Sequence, residues 1–293
     1  MKIFNNIIVS VDFKTEDEKA KIDHAIAIAE ENEAATFTLF TVTAKVTFDP
    51  EKSVLSEEKQ QEVLFKRATE QLERIAEGFP TANKVACLVA EGTPSVEIVK
   101  QVLRGEHDLL LTSTRKEKTA KEHILGSTMV ELMRQCPCPV WAVKPAADEE
   151  RKIMVGMHFD EEVVDHNDTL NHRLLNIATS LKDKSTQEIH LINIVKKAND
   201  EVTAERLGEL KKLATDVPSE TSEMIPVVLE GNVTAVISQY VEQQSIDLLI
   251  MGMLSRTGIL GFFIGNTAEK IMDDLDCSIL VVKPKEFVSQ ISI

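Results

Sequence analysis

The sequence lacks long hydrophobic runs and has few cysteines. No apolar stretch approaches the ~20 residues that a helix needs to cross a bilayer. The opening residues, MKIFNNIIVSVDF, contain neither a long hydrophobic segment nor a small-residue cleavage site. We therefore expect no membrane partner and a cytoplasmic location. The four cysteines show no disulfide-framework spacing, which agrees with a reducing compartment.

Positive charge is also in short supply. Lys and Arg number 33 against 48 Asp and Glu, which gives a net charge of −15. Nucleic acids and anionic membranes would repel such a chain, so we expect neither as its main partner. Apolar residues make up 43% and charged residues 28%, a balance typical of a soluble globular protein with a full core.

Familiar catalytic motifs are missing as well. The sequence has no Gly-x-Ser-x-Gly elbow, Walker loop or His-Glu-x-x-His helix. Asp12, His158 and Ser255 lie at the ends of predicted strands but form no evident nucleophile and base pair, so we expect no dedicated catalysis. Cys136 and Cys138 have no nearby His or second Cys pair to complete a tetrahedral metal site. We interpret them as structural.

An internal repeat organises the chain. Residues 108–145 align without a gap with residues 247–284, so that Asp108 matches Asp247, an offset of 139 residues (247 − 108). The register extends upstream, where Gly92 matches Gly231. The chain therefore consists of two copies of one unit. With about 150 residues per domain as the usual size, we predict domains at residues 1–147 and 148–293.

Each copy has the pattern of an α/β domain. Short β-branched runs alternate with amphipathic stretches; in the first helix, for example, Ile22, Ala25, Ile26 and Ala29 have the spacing of a face that packs on a sheet. The order β-α-β-α-β-α-β-α-β predicts a five-stranded parallel sheet with helices on both faces. The fold class is α/β with two tandem doubly wound domains. Ligands in such sheets lie beyond the carboxyl ends of the strands, here after the first and fourth strands.

The loop after the fourth strand of the second copy is a candidate phosphate site. It begins at Gly252, ends at Gly265 and enters a predicted helix at Asn266 and Thr267. Backbone N–H groups and a helix N-terminus can together bind an anion. The corresponding loop of the first copy contains four basic residues, which attract an anion by charge alone or form a solvated surface: Arg115, Lys116, Lys118 and Lys121.

Four stretches resemble the tandem members of the universal stress protein family, most closely the E-type form. They are NIIVSVD, EGTPSVEIV, GMLSRTGILGFFIGNTAEKI and CSILVVKP, and they include the start and the end of the repeated unit. The resemblance implies a fold like that of the adenine nucleotide alpha hydrolases. Family members that bind ATP carry G-x2-G-x9-G-[ST] after the fourth strand and an Asp near adenine at the end of the first.

The second copy matches this motif in part. Gly252 and Gly265 stand at the outer glycines, whereas Ser255 replaces the middle one. Asn266 stands where Ser or Thr is usual, although Thr267 follows, and His158 occupies the position of the Asp. Glycine permits positive φ and close approach of the backbone to a ligand. The resemblance implies that these loop residues bind ATP or AMP, with Mg²⁺ if the nucleotide is ATP.

The first copy matches less well. It keeps Asp12, Gly126 and Ser127, but Ser113 and Lys116 stand where the first two glycines belong. The lysine side chain is expected to obstruct a backbone phosphate site. The resemblance therefore assigns nucleotide binding to the second copy before the first.

Two polar features near the start of the second copy have alternative interpretations. His158 either contacts adenine or is a partly exposed residue at a strand end. Four residues form a potential metal cluster or the start of a helix: Asp165, His166, Asp168 and His172. We predict a helix start, with Asn167 or Asp168 as the N-cap residue, and no metal.

Two functions agree with the sequence. The chain is expected to act in the stress response and to bind nucleotide in its second half, with slow ATP hydrolysis at most. The alternative is an interaction scaffold, or a binder of a small apolar ligand, with degenerate nucleotide sites. The last strands, from Pro139 to Val143 and from Ser278 to Val282, are expected to pair inside one chain, because such apolar edges aggregate when unpaired.

Overall fold

The computed structural model describes residues 3–13, 18–46, 56–113, 127–144, 151–159, 164–181, 186–216, 223–253, 275 and 277–293. They divide into two compact units. The first comprises Lys2–Arg115, Ser127–Val143 and Ser289–Ile293, and the second contains Lys144–Val288. The domain boundary predicted after residue 147 lies outside the described residues.

The first unit alternates strands and helices. Its elements are β1 (Asn6–Ser10), α1 (Glu18–Glu31), β2 (Thr36–Thr43), α2 (Glu57–Ala76), β3 (Lys84–Glu91), α3 (Pro94–Gly105), β4 (Leu109–Ser113), α4 (Ser127–Gln135) and β5 (Val140–Val143). The strands are parallel and lie in the order β3-β2-β1-β4-β5. The strand order reverses between β1 and β4.

The second unit repeats this arrangement. Its elements are β6 (Arg151–Gly156), α5 (Val164–Ser180), β7 (Thr186–Val195), α6 (Asp200–Asp216), β8 (Glu223–Glu230), α7 (Val233–Gln244), β9 (Leu248–Gly252) and β10 (Ser278–Val282). The parallel order is β10-β9-β6-β7-β8, with the reversal between β6 and β9. The predicted doubly wound α/β fold is confirmed.

The central strands form the core because both of their faces are covered. Ile7, Ile8 and Val9 of β1 are fully buried, as are Leu249 and Ile250 of β9. Continuous apolar runs of this kind are typical of parallel sheets with helices on each side. The buried core therefore holds the carboxyl ends of β1, β4, β6 and β9 in fixed positions.

The repeated aspartates have a structural role. The Asp108 carboxylate accepts hydrogen bonds from the backbone N–H groups of Asn5, at 2.7 Å, and Asn6, at 3.0 Å. In the second unit, Asp247 accepts one from the backbone of Lys152 at 2.9 Å. Each aspartate thus joins the start of the fourth strand of its unit to the start of the first.

A repeated glycine ends the third strand of each unit. Gly92 has φ of 146° and Gly231 has φ of 134°. Both φ values favour glycine, because residues with a side chain rarely adopt positive φ. The same turn therefore leads into α3 and α7.

Three sequence predictions need correction. Helix α5 begins at Val164, so Asn167 and Asp168 lie inside it and the predicted N-cap is wrong. Strands β1 and β6 end two residues before Asp12 and His158.

The third correction concerns the buried face of α1. It consists of Lys21, Ala25, Ile28 and Ala29, whereas Ile22 and Ile26 are only half-buried. The buried face of α1 is therefore rotated about the helix axis relative to the predicted face. Hydrophobic periodicity missed this because it does not count a lysine as a core residue.

Two features are absent from the described part of the chain. No helix there is long and apolar enough to cross a membrane. No group of three or more His, Cys, Asp or Glu side chains in those residues could hold a metal ion.

Candidate functional site

The candidate site of the second unit lies at the carboxyl ends of β6 and β9, where the strand order reverses. Gly156 and Gly252 are the last residues of these strands. Of the predicted phosphate loop, the structure describes Gly252. The other four predicted residues lie outside the described residues: Ser255, Gly265, Asn266 and Thr267.

Gly252 lies against helix α5. A Cβ atom at this position would be 2.7 Å from Leu170 Cδ2, 3.2 Å from Leu170 Cγ and 3.4 Å from Leu174 Cδ1. The first of these distances is far below ordinary contact. Gly252 therefore lets two buried leucines pack on the end of β9, which is a reason for glycine independent of any phosphate.

The backbone of His158 is held by one side chain of α5. Asn171 Oδ1 accepts a hydrogen bond from the His158 N–H at 3.1 Å, and Asn171 Nδ2 donates to the His158 carbonyl at 2.8 Å. Asn171 is only 2% exposed, whereas His158 is exposed. The segment after β6 is thus fixed in place, with the His158 side chain toward solvent.

A buried amide lies beside this segment, on β7. Asn193 is 4% exposed, and its Nδ2 donates to the Met157 carbonyl at 3.1 Å. Within the described part of the chain its Oδ1 has no hydrogen-bond partner. An unsatisfied buried acceptor costs about 1–3 kcal/mol. Asn193 therefore offers a buried acceptor without a partner beside the segment that follows β6.

The matching edge of the first unit is filled by the protein's own charges. Lys21 is 1% exposed; its Nζ donates to the Ser10 carbonyl and lies 2.8 Å from Glu18 Oε1. Ser113 Oγ donates to the same Glu18 oxygen at 3.3 Å. We call Lys21, Glu18 and Ser113 the polar plug.

The plug holds a lysine in an unfavourable environment. Burial lowers the pKa of Lys21, and the negative charges of Glu18 and, more weakly, Asp12 oppose this effect. Asp12, predicted to lie near adenine, is thus part of the electrostatic environment of Lys21. The plug occupies the carboxyl ends of β1 and β4, where a ligand would lie.

The two units differ at one matched helix position. The buried positions of α1 and the residue after it are 21, 25, 28, 29 and 32, and those of α5 and the residue after it include 170, 174, 177, 178 and 181. The spacing is identical, so Lys21 corresponds to Leu170. Ser113 likewise corresponds to Gly252 in the sequence repeat. One unit therefore has an ion pair where the other has a leucine packed on a glycine.

The remaining predicted residues of the first unit are partly described. Ser127 is the first residue of α4 and is exposed. Gly126 and Lys116 lie outside the described residues. Sequence reasoning missed the polar plug, Asn171 and Asn193; the one signal for Asn193 was an amide inside the otherwise apolar end of β7.

Both units are thus doubly wound α/β domains with a candidate site at the strand reversal. A model of the universal stress protein family matches residues 4–144 and again residues 151–283. The chain belongs to the universal stress protein family, and the two matches make it a tandem member.

Curated relatives show that this tandem member is of the E type. Universal stress protein E of Escherichia coli is 30% identical over 234 residues, covering 74% of this chain and 72% of that protein. The corresponding protein of Photorhabdus laumondii is 29% identical over 219 residues, covering 68% and 69%. A homolog from Haemophilus influenzae is 22% identical and covers 97% of this chain and 98% of that protein.

Solved structures share the fold. A universal stress protein from Archaeoglobus fulgidus has a TM-score of 0.72 at 16% identity and covers 96% of this chain and 99% of that one. A putative universal stress protein from Pseudomonas aeruginosa has a TM-score of 0.68 at 21% identity, with coverage of 97% and 95%. At these identities the likeness concerns the fold alone.

Proposed function

We propose that the chain acts in the cytoplasmic stress response and binds one adenine nucleotide, ATP or AMP, in its second unit. The observation that carries this proposal is the buried Oδ1 atom of Asn193 at the ligand edge of the sheet. The adenine amino group and the ribose hydroxyls are donors that can satisfy such an acceptor. The nucleotide then recovers a hydrogen bond that the empty protein lacks.

The phosphates are assigned to the loop after β9. By resemblance to the family, Gly252, Ser255, Gly265, Asn266 and Thr267 hold them, with Mg²⁺ when the nucleotide is ATP. The chain is then a nucleotide-responsive binding protein, and any hydrolysis of bound ATP is slow.

The first unit binds no nucleotide in this proposal. Lys21 and Glu18 fill the edge between β1 and β4, and a ligand would have to displace a buried ion pair. Removing one partner of such a pair is costly because the other charge stays buried. Asp12, Gly126 and Ser127 therefore remain the weaker set of candidate residues.

A second function is favoured by one observation. Leu170 and Leu174 pack directly on Gly252, so the glycine can be kept for helix packing alone. The chain would then be an interaction scaffold, or a binder of a small apolar ligand, without nucleotide.

Substitution of Asn193 tests the proposal. Asn193→Leu keeps the approximate shape but removes the acceptor, and it should weaken nucleotide binding by about 2- to 12-fold, the equivalent of ~0.5–1.5 kcal/mol. Affinity is measured by equilibrium dialysis with labelled ATP and Mg²⁺, and with AMP. Circular dichroism shows whether the variant is folded.

A matched control exists in the first unit. The Val11 N–H donates to the Phe40 carbonyl as the Met157 N–H does to Ile192, both at 2.8 Å, so Thr41 takes the place of Asn193. Thr41→Val should leave nucleotide binding unchanged. Equal affinity in the Asn193→Leu variant would place the site elsewhere, and absence of binding at millimolar nucleotide would favour the scaffold.

We also propose that β5 and β10 pair inside one chain. Each is the last strand of its unit, β5 pairing with β4 and β10 with β9, and both are apolar. Hydrogen exchange on the intact chain tests this. The backbone amides of both strands that do not bond β4 or β9 should be protected, whereas rapid exchange would contradict the pairing.

A further inference from the structure

Two cysteines meet in the segment between α4 and β5. The Cys136 N–H donates to the Leu132 carbonyl at 2.9 Å and so continues the last turn of α4. Pro137, Cys138 and Pro139 then lead into β5. Cys136 Sγ and Cys138 Sγ lie 3.4 Å apart, and both cysteines are in the reduced thiol form.

The local backbone keeps the two sulfur atoms together. Proline fixes φ, so Pro137 and Pro139 restrict the segment on both sides of Cys138. The sulfur atoms are already in van der Waals contact. A disulfide of about 2.05 Å requires them to approach by a further ~1.4 Å.

We propose that Cys136 and Cys138 form an oxidisable dithiol whose oxidant is a small hydroperoxide. The thiolate of Cys138 attacks the peroxide, and its sulfur gains one oxygen atom to give a sulfenic acid, with release of an alcohol or water. Cys136 then attacks that sulfur. The S–S bond forms and water leaves, so the two thiols supply the two electrons that reduce the peroxide.

Burial sets the order of the steps and the class of oxidant. Cys138 is 7% exposed and Cys136 is fully buried, so Cys138 is the more accessible of the two residues and is assigned the first step. Exchange with a low-molecular-weight disulfide needs access for a bulky reagent to the thiolate. A hydroperoxide is smaller. The dithiol should therefore react with hydrogen peroxide in preference to glutathione disulfide.

The other two cysteines, Cys277 and Cys87, serve as internal controls. In the sequence repeat, Cys277 takes the position of Cys138, and Leu275 takes that of Cys136. Both are buried, so the second unit is a natural version of the site with one thiol. Cys87 is half-buried; burial raises the pKa of its thiol, and the Glu73 charge raises it further. Its reactive thiolate is therefore depleted at neutral pH.

Oxidation of the folded full-length protein tests the proposal. The protein is treated with hydrogen peroxide or glutathione disulfide, denatured, alkylated and analysed by mass spectrometry of the peptide containing residues 136–138. We expect peroxide to protect two thiols per chain and to remove two hydrogen atoms from this peptide, reversibly with dithiothreitol. Glutathione disulfide should act more slowly.

Cys136→Leu is the matched variant, because the second unit uses leucine at the same place. With peroxide it should accumulate oxygen adducts at Cys138 instead of a disulfide. The test on the wild-type protein does not depend on whether this variant folds. Oxygen adducts on both cysteines of the wild type, an unmodified peptide, or a disulfide that includes Cys87 would overturn the proposal.

Discussion

Replacing Gly252 with alanine separates the two reasons for a glycine at the end of β9. The new Cβ would be 2.7 Å from Leu170 Cδ2, whereas carbon atoms in favourable contact are about 3.5–4.0 Å apart. The Leu170 methyl group must therefore move by roughly 1 Å in a buried environment. The expected loss in the free energy of unfolding is about 1–2 kcal/mol, at the lower end for overpacked cores because a side-chain terminus can shift.

The leucine partner makes the test specific. Leu170→Ala alone should cost about 2–5 kcal/mol through the cavity that it leaves. It also removes the atoms that the new Cβ would strike. In the double variant, the two losses should therefore fall short of additivity by about 1 kcal/mol, the coupling expected for residues in contact.

The assay combines stability and affinity. Urea unfolding followed by circular dichroism gives the free energies, and hydrogen exchange of the β9 amides assigns the loss to the second unit. Nucleotide affinity is measured on the same proteins. Losses that add to within about 0.5 kcal/mol would refute the packing account. A Gly252→Ala variant of unchanged stability that no longer binds nucleotide would assign the glycine to the phosphates.

Three further predictions concern the first unit and use Trp141, the only tryptophan, as a fluorescent reporter of unfolding. Lys21→Leu should lower the free energy of unfolding by roughly 2 kcal/mol, because the Glu18 carboxylate, itself 16% exposed, loses its cation. Adding Glu18→Gln should recover part of this loss. No recovery would contradict the role of the ion pair. Asp108→Ala should cost about 1–2 kcal/mol, because two backbone N–H groups lose their acceptor; an unchanged urea midpoint would contradict that role. Burial lowers the pKa of His107, so His107 takes up a proton more readily in the unfolded chain than in the folded one. Stability should therefore fall as the pH drops below about 6.5. The His107→Gln variant should show a smaller fall, and equal falls would refute the assignment to His107.

Much of the fold was predictable because its causes are local or repeated. Buried apolar runs marked the strands. Gly92 and Gly231 marked the same turn in both copies, and the structure explains them by their positive φ. Asp108 and Asp247 also recurred in the repeat. Only the structure shows that their carboxylates accept hydrogen bonds from backbone N–H groups at the start of another strand.

The candidate site was less predictable because its contacts join distant parts of the chain. Asn171 holds His158 from a neighbouring helix, and a polar residue in a helix looks the same in the sequence whether it faces solvent or a backbone. Lys21 was missed for a related reason. Its burial depends on Glu18 and on the Ser10 carbonyl, partners that hydrophobic periodicity does not register.

The difference between the units explains why one motif alone is a weak guide to the ligand. Gly252 was assigned to phosphate by resemblance, yet its contact with Leu170 gives it a packing role. Asn193 matches no motif residue, yet it carries an unsatisfied buried acceptor beside the end of β6. The assignment of nucleotide to the second unit therefore depends more on this amide than on the outer glycines.

The stoichiometry of nucleotide binding tests the central claim most directly. Titration of the intact chain with ATP and Mg²⁺, and separately with AMP, should give one site per chain that is weakened by Asn193→Leu and unaffected by Thr41→Val. Two sites per chain would show that the polar plug does not exclude nucleotide from the first unit. No binding at millimolar nucleotide would contradict the account and leave the scaffold as the function of this fold.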